Sequence, residues 1–72
     1  MKEGKTMKIQ KVEIWNSDGK AFGVAIIYES GKFKRFPMNR VPKTAADFLK
    51  KAKKVKTGIS YESTYDVYEL AE

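Results

Sequence analysis

The sequence predicts an α+β domain in the order β-β-β-α-β: a three-stranded antiparallel meander, one α-helix and a C-terminal extended segment. Three observations carry this reading. Two turn clusters, NSDGK and ESGK, separate β-rich stretches between residues 8 and 38. A stripe of apolar residues at helical spacing follows the break PMNRVP. After Gly58 the chain returns to β-branched and aromatic residues.

KVEIW reads as the first strand and NSDGK as a turn in which Gly19 can take positive φ. KAFGVAIIYE is the second strand, SGK the second turn and KFKRFPM the third strand. Both turns suit a three-residue loop ending in glycine, a type I turn followed by a bulge. With loops at 17–19 and 29–31, Ile14 is expected opposite Phe22, and Val12 opposite Val24. Across the second hairpin, Val24 meets Phe36 and Phe22 meets Met38. One face then gathers Val12, Ile14, Phe22, Val24, Ile26, Tyr28, Phe36 and Met38. A one-residue slip in the second hairpin would bring Lys and Arg into that face.

The other face follows from the same register. Lys11, Glu13 and Trp15 lie on the first strand, Ala21, Gly23, Ala25 and Ile27 on the second, and Phe33 and Arg35 on the third. Its centre is a floor of small residues. Small residues in a strand mark close approach of something else, whether a ligand, another strand of this chain or a second subunit.

Proline cannot continue a sheet ladder, so the meander is expected to stop at PMNRVP. TAADFLKKAKKV then reads as a helix, with Thr44 and Asp47 placed as a capping box. Ala45, Phe48, Leu49, Ala52 and Val55 form the stripe that should pack on the apolar sheet face, and Gly58 suits the helix C-terminus. Lys43, Lys50, Lys51, Lys53 and Lys54 would face outwards. In GISYESTYDVYELAE, Ile59, Tyr61, Tyr65 and Val67 alternate as in a strand, although Tyr61, Tyr65 and Tyr68 also fit helical spacing. The tyrosines and β-branched residues favour a strand, whose acids would find partners on a basic neighbour.

At 72 residues the chain has room for one small domain, here residues 7–72. The polar opening MKEGKT, residues 1–6, is expected to be disordered. With no cysteine, disulfides, zinc fingers and thiol chemistry are excluded. With no histidine, the commonest general base and transition-metal ligand are missing too. No apolar stretch follows the opening charges, and the longest apolar run, VAII, is too short to cross a bilayer. A soluble, cytoplasmic protein without a membrane partner is expected. The net charge of +6 is unevenly spread. Residues 1–56 hold all fifteen Lys and Arg against five acids, a net +10, while residues 57–72 hold four acids and no base. A basic body of this kind suits a polyanion, and it also keeps a small protein soluble.

Little supports catalysis, and neither a cofactor nor a metal site is expected. Glu62, Asp66 and Glu69 are the only acidic cluster, and they would align only on a helix. No glycine-rich loop precedes the helix. The sharper signal is the second sheet face. Trp15 and Phe33 could stack on bases, and Lys11 and Arg35 could neutralise phosphates, with Lys50 and Lys54 assisting from the helix. From Lys11 to Lys54, the order of hairpin, third strand and lysine-rich helix resembles the small archaeal chromatin proteins with an SH3-like barrel. In that family a three-stranded sheet bearing a tryptophan binds the DNA minor groove. The resemblance is one of topology. This chain has no clear hairpin before the sheet and adds a tyrosine-rich segment after the helix. The expected function is non-catalytic, largely sequence-independent binding of DNA or RNA through the open sheet face and lysines. The alternative is a small protein-interaction module or inhibitor acting on another protein, with a homodimer as one form of it.

Overall fold

The computed structural model describes residues 8–70. The expectation of disorder at residues 1–6 lies outside them. Strands β1 (Ile9–Ser17), β2 (Lys20–Tyr28) and β3 (Phe33–Pro37) lead through a 3-10 turn, Met38–Arg40, into helix α1 (Lys43–Lys51). Strands β4 (Ala52–Ser60) and β5 (Ser63–Leu70) follow. All five strands form one sheet in the order β3-β2-β1-β5-β4, and every neighbouring pair is antiparallel. The α+β class and the meander stand. The single C-terminal strand becomes a hairpin, and β5 enters the sheet beside β1.

The second turn forms as its residues predict. Gly31 takes φ 95°, its N–H donates to the Tyr28 carbonyl at 2.9 Å, and Val24 pairs with Phe36. The first turn is shorter than expected. Asp18 (φ 53°) and Gly19 (φ 78°) make a two-residue loop between the paired Ser17 and Lys20. Positive φ at both positions matches the twist of a tight hairpin, and Asp-Gly suits it. The register then shifts, with Asn16 opposite Ala21 and Trp15 opposite Gly23. Phe22 is the extra residue of that bulge. Ile14 therefore meets Val24, and Val12 meets Ile26, two residues along from the expected partners.

The core lies between the sheet and α1. Val12, Val24, Ile26, Ala45 and Phe48 are buried, with Ile9, Ile14, Tyr28, Phe36, Val41, Leu49 and Ala52 packed around them. Burying each large aliphatic side chain stabilises by roughly 1.5–3 kcal/mol. Three expected core residues do not belong. Phe22 is carried out by the bulge, Met38 lies in the 3-10 turn, and Val55 sits at a second bulge between Lys54 and Lys56.

Helix α1 is shorter than its lysines suggest. It starts after Pro42, whose carbonyl accepts from the N–H groups of Ala45 and Ala46 at 3.1 Å each. No side chain caps it, so the Thr44–Asp47 box does not form. At Ala52 the backbone becomes extended (φ −93°, ψ 162°). Lysine is a good helix former, but propensity is a weak prior that tertiary pairing overrides, and Val55, Thr57 and Ile59 favour a strand. Pairing with β5 decides the outcome. Lys53 and Lys54 therefore belong to β4, and Gly58 lies inside that strand instead of ending the helix. The archaeal chromatin arrangement does not carry over, because the helix is followed by two more strands of the same single sheet. Among the described residues, no helix is long and apolar enough to cross a membrane.

Candidate functional site

Helix α1 occupies the Val12–Val24–Ile26 side of the sheet. The described residues lay no element over the opposite side, whose composition is set by strand register. One cross-strand row runs Gly58–Tyr65–Trp15–Gly23–Pro37 through all five strands. The adjacent row runs Lys56–Val67–Glu13–Ala25–Arg35. Lys11 pairs with Ile27, and Ile27 with Phe33, in a further row on the same face.

The first row is ordered by its glycines. A Cβ at Gly58 would collide with the Tyr65 ring, so the ring occupies the space over this edge glycine. Trp15 stacks on Tyr65, with ring centroids 4.6 Å apart and an interplanar angle of 23°. The indole Nε1–H donates to Glu13 Oε1 at 3.2 Å, which fixes the ring's rotation as well as its place. Both rings therefore sit on the β4 side of Trp15's own strand. The position over Gly23 is left without a side chain, and a groove of about 510 Å³ opens there. Trp15, Arg35 and Pro37 line it, as do the exposed Phe22 and Tyr61 at its rim. Gly23 suits this place for a second reason: a Cβ there would come within 3.1 Å of the Phe36 carbonyl oxygen.

The small-residue floor is thus only partly open. Gly23 and Ala25 are buried, while Ala21, beyond the bulge, is exposed. Ala25 lies between Glu13 and Arg35 in the register, and these longer neighbours shield it. Val67, 1% exposed, is enclosed on the same face between Lys56 and Glu13. Arg35 places its guanidinium carbon 5.8 Å from the centroid of the exposed Phe33 ring, within the range of a cation–π attraction.

Of the six residues singled out from sequence, Lys11, Trp15, Phe33 and Arg35 share this face. Lys50 and Lys54 do not join them. Lys50 is on α1, and Lys54 pairs with Tyr68, which pairs with the core residue Val12 on the helix side. Lys56 and Lys53 supply charge on the open face instead, from β4. Sequence reading also missed Tyr65, Glu13, Phe22 and Tyr61 as site residues. Tyr65 has a sequence signal, a tyrosine in alternation with Val67, but only the unexpected pairing of β5 with β1 sets it beside Trp15.

The acidic cluster does not assemble. Asp66 accepts from the Thr57 hydroxyl at 2.8 Å on the helix side, whereas Glu69 pairs with Lys53 on the open face. Among the described residues, no three potential metal ligands gather at one point. Comparisons with protein-family models, curated proteins and solved structures find no match for this chain.

Proposed function

We propose that this is a non-catalytic nucleic-acid-binding protein of the cytoplasm that engages DNA or RNA, with little sequence dependence, through the sheet face opposite α1. One observation carries the reading: a sheet face over which the described residues lay no element holds a pre-stacked Trp15–Tyr65 pair beside a groove. Base stacking on such aromatics tolerates any sequence, because every base has a π face. Lys11, Arg35, Lys53 and Lys56 around it suit phosphates, and the chain's net +6 favours encounter with a polyanion.

The test is retardation of single- and double-stranded DNA and RNA at two salt concentrations, combined with the fluorescence of Trp15, the only tryptophan. Trp15→Ala should cost roughly 1–3 kcal/mol of binding. Arg35→Ala should weaken binding for all sequences and lower the magnitude of the salt slope by about one. A tryptophan signal indifferent to every nucleic acid, with no retardation at low salt, would reject the proposal.

A second reading, a protein-interaction module, is supported by the exposed Phe22 and the fully exposed Tyr61 on the groove rim. Pairing of two copies through β4 is disfavoured. That edge carries Lys53, Lys54 and Lys56 and a bulge, features that oppose strand addition.

A further inference from the structure

Resting on the nucleic-acid reading above, we propose that the partner is single-stranded. One base seats in the groove against Trp15, and Glu13 favours bases that present an amino group there. Trp15 has one ring face taken by Tyr65, while the groove over Gly23 adjoins its other side. A groove of about 510 Å³ is ample for one flat heterocycle. A duplex buries the π faces of its bases, so it can use such a site only if a base is extruded; a single strand offers them directly. Trp15 is also poorly suited to act as a wedge between base pairs, since the stack and the Glu13 hydrogen bond tie it to the sheet.

The charges point the same way. Along one cross-strand row, Lys56 and Arg35 stand on the two edge strands of the sheet, with Glu13 on the central strand between them. A central carboxylate repels phosphates, so the backbone belongs at the rim and the bases inside. Glu13 Oε1 accepts from the indole, and a carboxylate has capacity for further donors. It lies at the Nε1 edge of the ring, within reach of the edge of a base stacked on that ring. Cytosine offers it an exocyclic amino group. Thymine flanks its one N–H with two carbonyl oxygens, which repel a carboxylate.

The experiment compares oligo(dC), oligo(dT) and mixed-sequence duplex, each about ten nucleotides or base pairs long, by Trp15 fluorescence and competitive retardation. The expected result is a Trp15 response to the single strands, with oligo(dC) tighter than oligo(dT) by roughly three- to tenfold. In Glu13→Gln the amide oxygen keeps the indole hydrogen bond, and the amide N–H₂ replaces the free acceptor. The preference should then shift towards oligo(dT), with circular dichroism unchanged. Equal affinity for the two homopolymers would overturn the role of Glu13, and duplex binding with a silent Trp15 would overturn the single-strand partner; in both cases nucleic-acid binding itself would survive. Failure of all three probes to bind would remove the underlying function and this inference with it.

Discussion

The two sides of the sheet are ordered in different ways. On the helix side, Val12, Val24 and Ile26 gain their burial from α1, an element laid on top of them. On the open side the described residues supply no such element, and order comes from lateral contact within the sheet. Tyr65 fills the space over Gly58, Trp15 stacks on Tyr65, and Glu13 holds the indole N–H. Vertical packing produces a dry core and uses up the surface it buries. Lateral packing fixes the same kind of large side chain while leaving one of its faces free. The cost is a gap over Gly23, and that gap is the groove. Rigid aromatics with a free face meet a basic requirement of a recognition site, since little ordering remains to be done on binding.

The largest expected effect comes from removing the strand that serves both sides. Truncation after Lys56 removes β5, which separates β1 from β4 in the sheet. The open edge of β1 and the unsupported start of β4 should prevent folding altogether, seen as loss of a cooperative melt. The acidic end of the chain could instead be a dispensable shield over a basic body. In that case the truncated protein would fold and bind polyanions more tightly at low salt. The position of β5 in the sheet argues against that outcome.

Next is Phe48→Ala, which acts on the helix side alone. Phe48 is 8% exposed in the cluster with Val12, Val24 and Ile26. Its truncation should destabilise by roughly 3–5 kcal/mol, enough to unfold much of a domain this small. Trp15→Ala, its counterpart on the open side, should lose about 0.5–1.5 kcal/mol with the stack, plus the partial burial of its ring, and still fold. Denaturant titration of the two variants measures the contrast. Equal losses would mean that the open side is a second core.

These expectations divide along the line between what was legible in the sequence and what was not. The second hairpin was readable in its loop and its Val24–Phe36 register, because Gly31 fixes the loop and Phe33, Arg35 and Phe36 fix the faces, but not in its end, where Met38 leaves the strand and Phe22 does not pair with it. The helix side was readable for a similar reason: aliphatic periodicity points to burial whatever covers it. The first hairpin was readable in its faces but not its partners. Asp18 accepts positive φ, the loop shortens, and the bulge at Phe22 absorbs the difference. The end of α1 was hidden because the lysines also tolerate a strand, and pairing in the β4–β5 hairpin, closed between Ser60 and Ser63, made the choice. Half of the site depended on a second pairing, the long-range one of β5 with β1. Lys11, Trp15, Phe33 and Arg35 come from local register, whereas Tyr65, Gly58 and Lys56 arrive from far along the chain.

Smaller in effect is Gly58→Ala, which acts on lateral order alone. In most strand interiors an added methyl helps, since glycine loses more freedom on folding. Here the methyl would displace the Tyr65 ring, and Trp15 would lose its stacking partner. Stability should change by less than about 1 kcal/mol, because a strand gain offsets a packing loss. The Trp15 emission maximum should nevertheless shift, and oligonucleotide binding should weaken. An unchanged tryptophan spectrum would show that Tyr65 does not position the indole.

A comparably small effect on stability, of the opposite sign, is expected at Tyr61. Tyr61 opens the turn between β4 and β5 with φ 54°, a left-handed conformation that bulky L-residues avoid. Its side chain is fully exposed, so no burial offsets the strain. On the helix side such a residue would have no reason to persist. It lines the groove with Ser60 and Ser63, and under the proposed function its ring borders the base seated against Trp15. Asparagine tolerates the left-handed region without glycine's extra unfolded-state entropy. Tyr61→Asn should therefore raise stability by about 0.5–1 kcal/mol while weakening single-strand binding several-fold. Thermal melts and fluorescence titrations on the same sample separate the two effects. A variant that gains stability and binds as the parent does would mark Tyr61 as an ordinary turn residue and confine the recognition surface to Trp15, Arg35 and the floor between them.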